Sequence, residues 1–546
     1  MVRQTTYTTT QEEGIAQYGS KYRSMAFLVK EHLHGAADKE CDHWHDDAGF
    51  FVHHMGFTLE LEQSLQSIDS TVTVPYWDYT ADAYTHKHDF TLSTMFQDDW
   101  FGPVENDESR IITTGRWAYT KLLSGGEARN MSDITNPYGV LRSPWNTNHV
   151  PYLQRSRHVY GVQNGGWKLP GCDEFKDALD LESMGWINSY LNGLLHGPVH
   201  IMTGGQWWAD TDKSKSEEMT QILSQAFDNT NRSDSVADLL LSSKYLWRQG
   251  VVRCPEYCSD DTPQEYCECH CPSSIVGDRT AFDTMYDYGI YHLNEEWIAP
   301  VMDCTSSLGP AAACCAPLCL GPPPPCRLSA VPCLASSMRS LLLSPGRMDG
   351  SVSTAPHRAT PSPRPAAHHS LGASPSFRRS LVTSRADLHE HHGLGYHDLF
   401  HLLCHVGHGG EMFTSAAPYD PLFWPLHGLA ERFVAFKRIL VDKGVGKLNT
   451  TWSYHHEGNL PSDVAHVCDW SGVREGTFGM PHCYQATCPG HRSTDILPQN
   501  DFLGTGDSYT LEEFFEFLSP FNDDLPYVYD SFTSWPGCVD EGINMV

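Results

Sequence analysis

Histidine is the residue through which this chain could do chemistry. His43, His45, His53 and His54 fall within residues 41–54, and His32 and His34 lie just upstream. Imidazole is the commonest metal ligand, and a histidine-only donor set suits copper or zinc rather than magnesium or calcium. His45 and His54 are nine residues apart. That spacing suits one ligand on a loop or helix end and the next inside a helix. Two further groups follow. One is His196-Gly197-Pro198-Val199-His200, with a Gly204-Gly205 turn behind it. The other is His397, His401 and His405, which recur at i, i+4 and i+8 and so share one helix face, followed by Gly409-Gly410 and then His427. The bland alternative for each is a satisfied core histidine or a chance cluster, since 30 of 546 residues are His.

The elements that must position these groups are legible in outline. Residues 20–35 read as a helix ending at Gly35, with His32 and His34 in its last turn. An apolar helical pattern through Phe57, Leu61 and Leu65 carries His54. A β-branched run, Thr71 to Val74, and the aromatic cluster Pro75-Tyr76-Trp77-Asp78 follow. Residues 80–180 are aromatic, polar and punctuated by Gly and Pro, which predicts long loops with short helices. Residues 181–208 contain a helix, and residues 216–250 look helical. Asp420-Pro421 opens a helix that carries His427.

Residues 305–386 break this pattern. They hold eight Arg, no Lys, Trp or Tyr, and Asp349 as their only acid. Such a composition cannot bury enough apolar surface to offset its ordering entropy. The expectation is a disordered insert over 305–388, or translated non-coding sequence, between a first part at 1–300 and a second at 389–445. A Cys-containing extension at 446–546 completes the chain.

A length of 546 residues suggests two or three units. The net charge of −30 argues against nucleic acid or an anionic membrane as partner. No apolar run reaches the ~18 residues a membrane span requires. Eighteen Cys are present, five of them between Cys254 and Cys271, and others at Cys468, Cys483, Cys488 and Cys538. Their irregular spacing favours disulfides in an oxidising compartment over a zinc site. Sequons at Asn130, Asn231 and Asn449 agree with a secreted or lumenal glycoprotein, although the first thirty residues lack the apolar core of a secretory signal.

The run FFVHHMGFTLELEQSL followed by TVTVPYWDY resembles the copper A region of the tyrosinase, catechol oxidase and molluscan haemocyanin superfamily. Phe51 or Phe50, His54, Phe57 and Glu62 fill the family's places, with His53 and Met55 where it has Trp and Arg. DPLFWPLHGLAERF resembles the copper B signature: Asp420, Pro421, Phe423 and His427 match, and Glu431 replaces the usual Asp. The resemblance covers roughly Met25 to Leu440 outside the insert. It implies a mainly α fold, a tyrosinase-like four-helix bundle around a dinuclear copper site, with long loops. It implies two copper ions per chain. His34, His45 and His54 would hold copper A. His34 is preferred over His32 and His43, because the family's first ligand is often followed by Gly. Cys41 is the only nearby candidate for the Cys–His cross-link some members carry. His196 and His200 with His427 would hold copper B, with His401 and His405 as the alternative pair and the losing pair in a supporting role. Phe423 and Trp424 are candidates for the aromatic gate. The implied function is oxidation of an o-diphenol, or a monophenol, to an o-quinone with dioxygen. Gly197 stands where monophenol hydroxylation is associated with Asn, which tilts the reading towards diphenols. Haemocyanin-like oxygen binding and a copper-free secreted binding protein on the same scaffold are the alternatives.

Overall fold

A computed structural model describes residues 2–37, 42–45, 47–104, 109–123, 134–159, 161–208, 243–244, 246–247, 250–273, 280–281, 396–450, 467–468, 483–484 and 493–545. Cα packing divides the chain into two units, Met1–Val301 with Gly393–Val546, and Met302–His392. The second unit, and with it the expected insert at 305–388, lies outside the described residues, as do Cys41 and most of 216–250.

Among the described residues, α-helix dominates the first unit. The helices are α1 (Val2–Thr8), α2 (Gln11–Tyr18), α3 (Met25–Ala36), α4 (Asp47–Ile68), α5 (Tyr79–His86), α6 (Cys172–Leu179), α7 (Met184–Tyr190), α8 (Gly197–Gly204), α9 (Tyr396–Cys404), α10 (Phe423–Asp442), α11 (Leu511–Phe517) and α12 (Pro536–Glu541). A π-helical turn, Leu191–His196, joins α7 to α8. Strand among the described residues is limited to three two-residue antiparallel pairs. In one of them Gln206 and Trp207 face Gly409 and His408.

The 22-residue helix α4 is the central element. Phe50, Phe51, Val52, Met55, Phe57, Leu59, Leu61 and Leu65 are all at most 3% exposed. They point in every direction around the helix. A helix apolar on all sides must be surrounded, and α4 packs against α7, α10, α11 and α1. Its two acids inside that shell are satisfied. Glu60 pairs with Arg23 Nε at 2.7 Å, and Glu62 accepts from Val74 N at 2.9 Å and Thr73 Oγ1 at 3.0 Å.

Among the described residues four disulfides tie the loops: Cys172–Cys538, Cys254–Cys269, Cys258–Cys267 and Cys271–Cys404. All five cysteines of the 254–271 cluster are thus used, and no zinc site forms there. Cys172–Cys538 joins α6 to α12, so the C-terminal segment is bonded to the main body. Tyr529 completes that attachment. Its hydroxyl lies within hydrogen-bond reach of the Gly428 carbonyl at 3.1 Å and of Glu431 Oε2 at 2.9 Å, and Tyr527 donates to the other oxygen of the same carboxylate. Glu431 is buried behind His427, and burial pushes its carboxyl up to about 7.

Candidate metal centre

Two groups of three histidines converge. His32, His45 and His54 form one; His196, His200 and His427 form the other. Within each group one ring nitrogen per residue lies within 4.8 Å of the others. The groups adjoin: the His54 and His427 rings stack at 4.7 Å with an interplanar angle of 9°.

Five of the six imidazoles sit on helical backbone. His32 is on α3, His54 on α4, His196 ends the π-helical turn, His200 is on α8 and His427 on α10. His54 and His427 use the same device. Each Nδ1 faces the carbonyl one turn back, Phe50 O and Phe423 O, both at 2.7 Å. His32 Nδ1 faces Ser415 O at 2.8 Å and His200 Nδ1 faces Met412 O at 3.1 Å. A carbonyl can only accept, so each of these Nδ1 atoms carries the proton. The Nε2 lone pair is then left free to bind a metal. The Nε2 atoms of His32 and His427 are buried without a hydrogen-bond partner among the described residues. Those of His196 and His200 face each other at 2.8 Å. Buried, inward-facing nitrogen lone pairs without donors are costly unless a cation receives them. Neutral imidazoles in two sets of three fit a pair of copper ions in kind and number.

Electrostatics agree. Burial, and then the neighbouring imidazoles, hold His32, His54, His196 and His427 well below the ordinary histidine value. Burial brings His200 down to about 3. These rings are neutral at any ordinary pH, as ligands must be.

The arrangement differs from the sequence expectation at one ligand. His34 was favoured because Gly35 follows it, yet the group contains His32. The helix runs through Gly35 to Ala36, so Gly35 is not a stop signal. It is there for close approach: a Cβ on it would lie 2.2 Å from the Trp44 ring. The glycine therefore reports packing of the His45 loop on α3 and says nothing of which neighbour faces the centre. His43 is also buried outside both groups.

His401 and His405, the alternative pair, are in neither group. Their rings lie 4.5 Å from one another, and Cys404 beside them is bonded to Cys271. His405 falls just past the end of α9, and the His397 side chain lies outside the described residues. Phe423 and Trp424 are both buried, at 1% and 3% exposure. Phe423 packs on His427 at 3.9 Å between ring centres and also touches His32, His54 and His200.

One segment that the sequence reading did not single out ties the two groups together. Residues 411–420 supply both Met412 O, to His200, and Ser415 O, to His32. Buried ion pairs hold the segment at both ends. Arg142 Nε meets Glu411 at 2.6 Å, and Arg155 grips Asp420 with two bonds of 2.7 and 2.6 Å. All four side chains are fully buried. Nothing local in the sequence pairs residues 142 and 155 with 411 and 420; Asp420 was legible only as part of a motif.

Comparison with known proteins gives the same direction. A family model described as the common central domain of tyrosinase matches residues 19–229. That span contains His32, His45, His54, His196 and His200 but not His427. The tyrosinase of Streptomyces antibioticus is 26% identical over 171 residues, 30% of this chain and 54% of that protein. Grixazone synthase of Streptomyces griseus is 29% identical over 191 residues, 30% of this chain and 57% of that protein. The tyrosinase of Streptomyces galbus is 26% identical over 166 residues, 29% and 51% respectively. The chain thus spans about half the length of the curated relatives it matches.

Proposed function

Because the chain belongs to the tyrosinase superfamily of type-3 copper proteins, we propose that it oxidises o-diphenols to o-quinones with dioxygen. The proposed ligands are His32, His45 and His54 for one copper ion and His196, His200 and His427 for the other. They would be held by helices packed as a bundle around α4 and α10. The observation that carries this reading is the convergence of six imidazoles as two adjoining triplets with inward-facing nitrogen lone pairs.

Bound there, a copper pair supplies reversible one-electron chemistry, so that two diphenols can give four electrons and four protons to one dioxygen, forming two quinones and two waters. The chain's own residues do the rest. Backbone carbonyls hold four of the rings in the Nδ1-protonated form. Phe423 packs against imidazoles of both triplets, which excludes water from that side of the centre. With every ligand on a packed helix or a tethered loop, little reorganisation accompanies a change of metal charge.

Gly197 supports diphenols rather than monophenols as substrates. It follows His196 at the end of the π-helical turn, where a Cβ would lie 2.3 Å from the Asn192 carbonyl oxygen. The polar side chain associated with phenol deprotonation in the family has no room at that position.

The test is copper analysis after loading, followed by quinone formation from added catechol. Two copper ions per chain and a catechol-dependent rise in quinone absorbance are expected. Fewer than one ion per chain would leave only a copper-free binding protein. Two ions without quinone formation would make the protein an oxygen carrier instead.

A further inference from the structure

His45 differs from the other five imidazoles: it lies on the loop 42–45, outside any helix. Its Nδ1 faces a carboxylate, Asp42 Oδ1 at 3.0 Å. The same oxygen accepts from the backbone N–H groups of Trp44 and His45, both at 3.1 Å. The second oxygen, Oδ2, accepts from Lys244 Nζ at 2.7 Å. Asp42 is buried, at 6% exposure, whereas the His45 side chain is 27% exposed. The loop is pinned once more from the far side. Asn192, in the turn that carries His196, donates its side-chain amide to the His45 carbonyl at 2.6 Å.

We propose that Asp42 is the positioning residue for His45, fixing both its tautomer and its ring direction towards the first metal position. The proposal rests on the copper reading above. Its physical basis is that a carboxylate accepts only, so the ring nitrogen facing it must carry the proton. The other nitrogen then keeps its lone pair for the metal, and the negative charge behind the ring makes it the better donor. A single oxygen also shapes the loop, through Trp44 N and His45 N, and aims the ring. Backbone and side chain are therefore set together. Lys244, whose ammonium lies 5.5 Å from the Trp145 ring centre, keeps the carboxylate from turning away. His54 and His427 take their aim from carbonyls of their own helices and His32 and His200 from the segment 411–420, whereas His45 obtains it from one acidic side chain three residues earlier.

The experiment is anaerobic equilibrium competition between the full chain and a Cu(I)-selective chelator, with copper as the only probe. Asp42→Asn keeps the shape but can present either an oxygen or an amide to Nδ1, so it releases the tautomer. One of the two ions is expected to bind about 10- to 100-fold more weakly, with the other at wild-type strength. In a His45→Ala background, Asp42→Asn should add nothing further, because its target is gone. A merely structural role would weaken both ions together, or add to His45→Ala, and either result overturns the proposal. So would wild-type binding of both ions in Asp42→Asn. Should that variant not fold, Asp42→Asn with Lys244→Met removes both charges at once, and the same one-site loss is expected. Wild-type protein that holds fewer than two ions would instead overturn the copper reading itself, and this inference with it.

Discussion

Acidification separates this centre from an ordinary set of histidines. An exposed imidazole titrates near 6.5, so at pH 5.5 about ten in eleven are protonated and a metal must displace the proton. For three such ligands the apparent affinity falls by a factor of about 10³, or roughly 4 kcal/mol. The triplet His196, His200 and His427 should behave otherwise. Burial, followed by the neighbouring imidazoles, holds His196 and His427 well below the usual value, and burial brings His200 to about 3. In the folded metal-free protein these rings are already neutral at pH 5.5, and no proton competes. Copper affinity at this position should therefore stay level between pH 7.5 and 5.5. The assay is chelator competition on folded protein in a pH series, with a chelator whose own protonation is known. A thousandfold loss across that range would show that the rings titrate as exposed groups, and the buried centre described above would be wrong.

Lowered folded values mean that the unfolded chain binds more protons. The metal-free fold should thus lose stability as pH drops below about 6.5, by about 1.4 kcal/mol per pH unit for each such ring, continuing for His200 until about pH 3; denaturation midpoints measured at pH 7 and 5.5 check this. Asp420→Ala leaves Arg155 buried and unpaired, which should cost about 3–5 kcal/mol, with Asp420→Asn milder; thermal midpoints of the two variants give the comparison. Phe423→Ala empties a buried site against four imidazoles and should cost about 3–5 kcal/mol while loosening both copper ions. A change in KM alone, with stability intact, would instead make Phe423 the gate that the family resemblance suggests. Cys538→Ser removes the bond that closes a 366-residue separation and should cost about 2–5 kcal/mol, read as a lower thermal midpoint without reductant.

The helices and most of the donors were visible in the sequence because helical spacing is local. His54 and His427 sit inside long apolar-rich runs, and the carbonyls that orient them lie one turn back in the same runs. His196 and His200 were legible as an i, i+4 pair before a Gly-Gly turn. The π-helical turn that delivers His196 left no such mark. The resemblance favours His34 over His32 because the family's first ligand is often followed by Gly, yet a glycine such as Gly35 can also mark a helix end or a close contact. Only the position of Trp44 decides between them. The two-fold ambiguity at the second triplet had the same origin. His401 and His405 repeat the spacing of His196 and His200, and spacing carries no information about which helix faces α10. Asp42 was in plain view three residues before His45, but an acid in a polar loop has no signature until its oxygen is seen against the ring.

The long-range pairs explain why a centre assembled from residues as far apart as 32 and 427 can be held rigidly. A buried ion pair is weak evidence for stability, since its desolvation offsets much of its attraction. Arg142–Glu411 and Arg155–Asp420 are better understood as fixing position. Arg142 also donates to the carbonyls of Asn148, Val150 and Tyr152, and Arg155 to that of Gly102. Each guanidinium therefore knits one irregular loop to one end of the segment 411–420. That segment has only short 3-10 turns of its own, Glu411–Phe413 and Ala417–Tyr419. Ser415 Oγ donates to the Ala36 carbonyl at 3.4 Å and Gln154 N donates to Glu411 Oε2 at 3.0 Å, so these bonds act with the two arginines to keep Met412 O and Ser415 O aimed at His200 and His32. Hydrophobic replacements of similar volume could match the stability but not the aim, because apolar contacts tolerate sliding that bidentate hydrogen bonds do not. The loops around this centre thus supply what the helices do not: one tethered segment whose carbonyls orient His200 in one histidine triplet and His32 in the other.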